Sequence, residues 1–286
     1  MNKTLIGKNG YLFLQNDSCK ELEVHNDNLC LVDPLFYKRY ESVLDKLLFI
    51  VFPNKSLIYA EHLPDTYHLH YRPGFDLYSN YFKNQLLDGF PHLKNYDTYY
   101  KTDTHINNKG ALIIYNIFID KINKLFDLTI VKQEYTLTAI ECKSLCNLGL
   151  GIGDLTWIYN LGNQTLESTH DVFYKINDAD QLYCKYRFTP ESHIRILNNQ
   201  CIDETMTHLN KLLEWSMISN YILYVKNKDK KYKVVIFYDS FLISTLQLYI
   251  PLFNEIYLIK SIFDIDKIKT IQPDYVFEFR CERFLC

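Results

Sequence analysis

A serine that ends an apolar strand and opens a helix is a candidate nucleophile, and this chain offers one at Ser240. Lys231 to Tyr238 reads as a buried strand, Asp239-Ser240 as a turn, and Phe241 to Tyr249 as a helix. That turn sets the serine at the carboxyl edge of a sheet, where open α/β sheets bind ligands. The first N–H groups of the helix lie beside the hydroxyl, together with the positive end of the dipole, and can form half of an oxyanion hole. Asp and Ser are also common helix N-caps, a purely structural use of the same pair. The second candidate is Asp103-Thr104-His105. In an extended segment, residues i and i+2 share a face. The carboxylate then accepts the Nδ1 proton and leaves Nε2 free as a base. An acid and an imidazole in a polar loop before a helix are the structural alternative.

Other chemistry-bearing residues are less organised. His68 and His70 alternate like strand-borne metal ligands, but no third ligand is evident, and Cys142 and Cys146 lack zinc-ligand spacing. Gly149 to Gly153 is glycine-rich without the GxGxxG pattern of a dinucleotide site. Arg280 and Arg283 are either anion ligands or ion-pair partners of Glu278 and Glu282. The 24 tyrosines suit stacking on sugar rings, but an AT-rich genome is the stronger account of them and they lend only weak support to a carbohydrate site.

The elements that must hold these residues read as follows. Gly10 to Leu14 is a short strand after an Asn9-Gly10 turn. Pro34 opens a helical stretch to about Val51, Pro53-Asn54 ends it, and Ser56 to Ala60 is a strand. Residues 75–89 form an amphipathic helix. Asn107 or Asn108 caps a helix over Ala111 to Phe126. Strands at Glu255 to Ile259 and Asp274 to Phe279 follow the Ser240 unit. Strand, helix, strand, connector and strand imply an α/β fold with a mainly parallel sheet. Residues from about 130 to 205 are β-rich and weakly periodic, an embellishment within one domain over 1–286.

Several segments together resemble a known family. Gly7-Lys8-Asn9-Gly10-Tyr11-Leu12-Phe13 resembles the GKDGWLF opening of the alginate O-acetyltransferase (AlgX/AlgJ) family, which are SGNH-hydrolase-like enzymes. Tyr99 to Asn107 resembles its YYKTDTHWN block, Gly153-Asp154-Leu155 its GDL segment, and Tyr238-Asp239-Ser240-Phe241 its GDSF block. Pro273-Asp274-Tyr275-Val276 with Glu282-Arg283 is similar to its closing PDVV…ER. The blocks keep their order over nearly the whole chain. The resemblance implies a flavodoxin-like, three-layer α/β/α domain with Asp103, His105 and Ser240 as catalytic triad. Tyr238 stands where the family has glycine, and Ile106 where it has tryptophan.

The resemblance implies O-acetyl transfer to a carbohydrate, a surface or capsular polysaccharide or its precursor, through a serine acyl-enzyme. Alternatives are an acetylesterase of the same fold and a non-catalytic carbohydrate-binding or assembly module. Tyr238, Phe241 and Trp157 are the candidate substrate-binding residues. No tightly bound cofactor or metal is expected, and acetyl-CoA is a possible donor. Lys plus Arg (31) against Asp plus Glu (34) gives −3, so no basic excess favours nucleic acid. No apolar run approaches a membrane span, and none resembles a targeting segment. A cytoplasmic location with eight reduced cysteines is the expectation.

Overall fold

The computed structural model describes residues 3–141, 154–157, 172–176, 194–196, 222–243 and 245–285. Its strands in chain order are β1 (Thr4–Ile6), β2 (Leu12–Leu14), β3 (Leu47–Phe52), β4 (Leu86–Asp88), β5 (Leu137–Glu141), β6 (Val172–Ile176), β7 (Ile194–Ile196), β8 (Ile222–Lys226), β9 (Lys233–Tyr238), β10 (Glu255–Ile259) and β11 (Tyr275–Cys281). Among the described residues, seven of these form one mixed sheet in the order β4-β3-β11-β9-β10-β8-β7. From β4 to β10 every pair is parallel, while β8 runs antiparallel to β10. β1 pairs with β2 and β5 with β6, each antiparallel and outside the main sheet.

The sheet is buried on both faces, and β3 shows why its sequence misleads. Leu-Leu-Phe-Ile-Val-Phe carries no polar alternation because all six side chains are buried. Leu48, Ile50 and Phe52 join Ile114, Phe118 and Ile122 of the Asn108–Phe126 helix. Leu47, Phe49 and Val51 join Tyr78 and Phe82 of the Pro73–Phe82 helix and Ile268 of the Ile265–Ile271 helix on the other face. An uninterrupted apolar run of this length fits a buried helix or a buried strand equally well. The helix expected from Pro34 to Val51 is therefore replaced by 3-10 turns at Phe36–Arg39 and Glu41–Lys46, followed by the strand.

Two further expectations change. Ser56 to Ala60 is not a strand; a helical turn spans Lys55–Ile58, with Asn54 extended before it. Its polar groups are buried and satisfied: Lys55 Nζ donates to the carbonyls of Leu12, Lys101 and Asp103, and Ser56 Oγ to Glu21. The helix expected over 75–89 stops at Phe82, where Lys83 takes a left-handed φ of 50°, and β4 follows. The helix beginning at Asn108 is as expected. Asn107 Oδ1 accepts from Gly110 N–H at 3.0 Å, a side-chain cap. Gly110 is there for space, since a Cβ would lie 2.6 Å from the Thr98 carbonyl oxygen.

β10 lies on one side of β9 and β11 on the other. The carboxyl edge of β9 is thus where connections diverge, the position at which open α/β sheets form a crevice. Of the 130–205 region, residues 130–141, 154–157, 172–176 and 194–196 are described, which include β5, β6, β7 and the Asp154–Trp157 turn, and the Gly149 to Gly153 segment lies outside. Among the described residues no helix is long and apolar enough to cross a membrane, and Cys19, Cys30 and Cys281 are free thiols.

Candidate active site

Ser240 stands two residues past the end of β9 and begins a short helical turn, Ser240–Ile243. The expected 241–249 helix is divided, with a second turn at Leu246–Tyr249. The cap of the first turn is Asp239. Its Oδ1 accepts from Phe241 N–H at 2.9 Å and its Oδ2 from Cys281 N–H at 2.6 Å, which ties β9 to the end of β11. The capping role weighed for Ser240 thus belongs to its neighbour, and the serine hydroxyl is left for other work. Phe241 N–H is consumed in that cap, so of these two amides only Ser240 N–H remains as an oxyanion donor.

The serine meets the second candidate across 135 residues of chain. His105 Nε2 lies 2.9 Å from Ser240 Oγ, and His105 Nδ1 lies 2.7 Å from Asp103 Oδ1. The acid is itself oriented: its Oδ1 also accepts from His105 N–H at 2.8 Å, and its Oδ2 from Asp154 N–H at 3.0 Å. Phe241 is fully buried with its ring centroid 4.9 Å from that of His105, so it supports the imidazole. Tyr238 is 1% exposed and lines the cleft beside Ser240. Trp157 falls in the Asp154–Trp157 turn, but its side chain lies outside the described residues.

Asp154, which the sequence offered only as part of a short motif, belongs to the same cluster. Its oxygens accept from Thr104 N–H at 2.8 Å and Thr104 Oγ1 at 2.6 Å, and Oδ2 is 3.6 Å from His105 Nδ1. Asp103, His105 and Asp154 could together face a metal ion, their ligand atoms lying within 4.8 Å of one another. All four carboxylate oxygens already accept hydrogen bonds, so a cation there would displace that network. Behind it, Arg283 pairs with Glu21 at 3.3 Å and reaches Thr104 Oγ1 at 3.4 Å. Its guanidinium lies over Phe241, 5.2 Å from the ring centroid. Glu282, the expected partner of Arg283, instead binds Arg72 at 2.7 Å, while Arg280 does pair with Glu278. Glu21 is 262 residues from Arg283, and no local pattern signals such a pair.

Charges in the cluster shift its protonation. Burial raises the Asp103 carboxyl, but hydrogen bonds and charge from His105 outweigh it and hold the group well below the usual carboxylate range. Burial lowers the His105 imidazole, yet the Asp103 hydrogen bond and the charges of Asp103 and Asp154 raise it above 6.5, with Arg283 opposing. Burial and the Asp103 charge raise the Asp154 carboxyl. The sign for stability follows. The Asp103 contribution is lost as pH falls below the unfolded value, and the His105 contribution as pH rises through its raised value. Their pair therefore stabilises most between about 4 and 6.5. In an NMR titration the His105 ring should inflect above the ordinary histidine value, and Asp103→Asn should bring the inflection down. A wild-type inflection at or below 6.5 would contradict the pairing.

Tyr238, standing where the resembled family has glycine, is packed in the core. Tyr238→Gly should therefore cost about 3–5 kcal/mol of stability, the range for losing a large buried ring. Chemical denaturation measures this, and a loss below 1 kcal/mol would mean that the ring is not part of the packing.

The chain matches no protein-family model and no curated protein. Its fold resembles that of Bacillus cereus PatB1, at 14% identity and a TM-score of 0.57, covering 99% of this chain and 96% of that one. A structure of PatB1 with a sulfonyl adduct is similar at 13% identity and a TM-score of 0.56, covering 99% and 97%. A DHHW family protein from Eubacterium siraeum matches at 16% identity and a TM-score of 0.52, covering 99% and 94%. The O-acetyltransferase domain of Pseudomonas putida AlgJ aligns at 14% identity and a TM-score of 0.48, covering 99% and 91%. Over nearly its whole length, then, this chain has the fold of PatB1 and of the DHHW family protein.

Proposed function

We propose that this protein is an SGNH-type serine O-acetyltransferase acting on a carbohydrate hydroxyl, with Ser240 as nucleophile, His105 as acid–base and Asp103 as its orienting carboxylate. The observation that carries this reading is the continuous chain Asp103 Oδ1, His105 Nδ1, His105 Nε2, Ser240 Oγ, with links of 2.7 and 2.9 Å. Residues 1–286 would form one three-layer α/β/α domain, with an embellishment at about 130–205.

In the first half-reaction Ser240 Oγ attacks the donor's acetyl carbon while its proton passes to His105 Nε2. The carbonyl oxygen takes up negative charge beside Ser240 N–H. The bond to the leaving group breaks, and His105 Nε2 returns the proton to that group. In the second half-reaction His105 takes a proton from the sugar hydroxyl, whose oxygen attacks the acyl carbon. Ser240 then leaves with that proton. Asp103 keeps the imidazole in the Nδ1–H tautomer and balances the imidazolium formed twice per cycle. A cytoplasmic location would make acetyl-CoA the natural donor, and water in place of the sugar would make the same site an esterase.

Sulfonylation is a reaction of activated nucleophiles, and a structure of the PatB1 fold relative carries a sulfonyl adduct. Here the test is to incubate the protein with phenylmethanesulfonyl fluoride or 4-nitrophenyl acetate and map the adduct by mass spectrometry. Modification confined to the Ser240 peptide supports the reading. Failure of both reagents to label Ser240 in folded protein would refute it.

A further inference from the structure

The carboxylate and imidazole of the triad sit on a stretch of chain with no regular structure of its own. Tyr99 and Ile106 pair as an isolated bridge, and between them Lys101 to His105 runs as a series of bends. Three successive carbonyls of that stretch are held from outside it. The Thr102 oxygen accepts from Leu155 N–H at 3.2 Å. The Lys101 oxygen accepts from Leu12 N–H at 2.8 Å and from Lys55 Nζ at 2.6 Å. The Asp103 oxygen accepts from the same Lys55 Nζ at 3.0 Å. A further hydrogen bond from that ammonium goes to the Leu12 oxygen at 2.7 Å. Lys55 is 3% exposed and begins the helical turn that follows β3 of the main sheet. The Tyr11 and Phe13 rings face its nitrogen, with centroids 5.8 and 5.5 Å away. Burying an ammonium is costly, and an apolar side chain of the same length would fill the space. What the ammonium adds is three donors on one atom, a single point on which three carbonyls converge.

We propose that Lys55 is a positioning residue for acyl transfer: by gripping the Lys101 and Asp103 carbonyls it sets the Asp103 carboxylate against His105 Nδ1. The inference rests on the transferase reading, which it deepens by naming what ties the orienting carboxylate to the sheet. A triad member on an irregular segment needs such a tie, because its productive geometry has to be held by the residues around it.

Lys55→Met keeps most of the side chain's length and volume and removes all three donors. With 4-nitrophenyl acetate as donor, kcat should fall about 100-fold, the effect of displacing a reacting group by about 1 Å, while KM stays within about twofold. In the Asp103→Asn background the same change should lower the residual kcat by no more than about twofold, because residues acting through one another are not additive. A brace of the fold alone would lower the active fraction by one factor in both backgrounds. That result, or an unchanged kcat in folded Lys55→Met, would overturn the assignment. Lys55→Gln, which keeps two donors, takes the same cycle if Lys55→Met does not fold. Failure of both to fold would show that the ammonium holds the whole fold, and would also overturn it. The ¹⁵N shifts of the neutral His105 ring report its tautomer with no turnover needed. The Nδ1–H form should dominate in the unaltered protein, and both forms should be populated in Lys55→Met. That change, in a protein that never acylates Ser240, would keep the positioning role and refute the transferase. Normal acylation with tautomer and kcat unmoved by Lys55→Met would do the reverse.

Discussion

Ser240→Ala should yield a folded protein that neither hydrolyses nor transfers an acetyl group, with a rate loss on the order of 10⁶. The structural change is small. Ser240 Oγ meets His105 Nε2, while the capping of its turn is done by Asp239. Loss of that one hydrogen bond, in a site open to the cleft, should lower stability by no more than about 1 kcal/mol. The chemical change is total, because the acetyl carbon has no oxygen to attack it. The informative experiment is a paired one, with denaturant unfolding alongside release of 4-nitrophenolate from the acetyl ester. A retained midpoint with abolished release, and no acetyl on the 240 peptide, is the expected result. Turnover retained in Ser240→Ala would remove the serine mechanism.

Asp103→Asn should lower kcat by roughly 10⁴ while leaving the fold in place. The reason lies in the count of acceptors. Asp103 accepts three hydrogen bonds, two from His105 and one from Asp154 N–H, across both oxygens. An asparagine has one oxygen. If that oxygen stays with His105, the NH₂ confronts the Asp154 N–H; if it turns to Asp154, the NH₂ faces Nδ1 and favours the wrong tautomer. In that tautomer Nε2 carries the proton and cannot accept one from Ser240. Asp154→Asn should cost far less, because Oδ2 lies 3.6 Å from Nδ1, beyond hydrogen-bond reach. Kinetics of both variants against the same ester would decide it. Equal losses would mean that the two carboxylates act as one unit, and a larger loss in Asp154→Asn would exchange their assigned roles.

Much of this site was legible in the sequence because its residues announce themselves locally. A strand ending in Asp-Ser before a helix sets Ser240 at a sheet edge, and the i, i+2 spacing of Asp103 and His105 lets one chain segment supply both the carboxylate and the imidazole. The asparagine cap of the 108–126 helix and the β-branched composition of β9 and β10 were equally local signals. Local signals failed where burial on both sides erased periodicity. β3 is apolar at every position, so alternation could not distinguish it from helix, and only its pairing with β4 and β11 made it a strand.

What only the tertiary structure decided is which distant groups meet. Ser240 and His105 are 135 residues apart, Thr104 and Asp154 are 50, and Arg283 and Glu21 are 262. Lys55 is a strong example: it stands just before the segment whose composition suggested a strand, yet its ammonium is buried because three carbonyls from two other segments converge on it. The same holds for Asp239, whose two oxygens are divided between its own turn and the end of β11. Composition, spacing and propensity determine which elements can form and which side chains are fit for acid–base or nucleophilic work. Convergence depends on the order in which parallel strands are laid beside one another, and that order is set by the burial of both sheet faces at once, a property of the whole chain that no window of neighbouring residues contains.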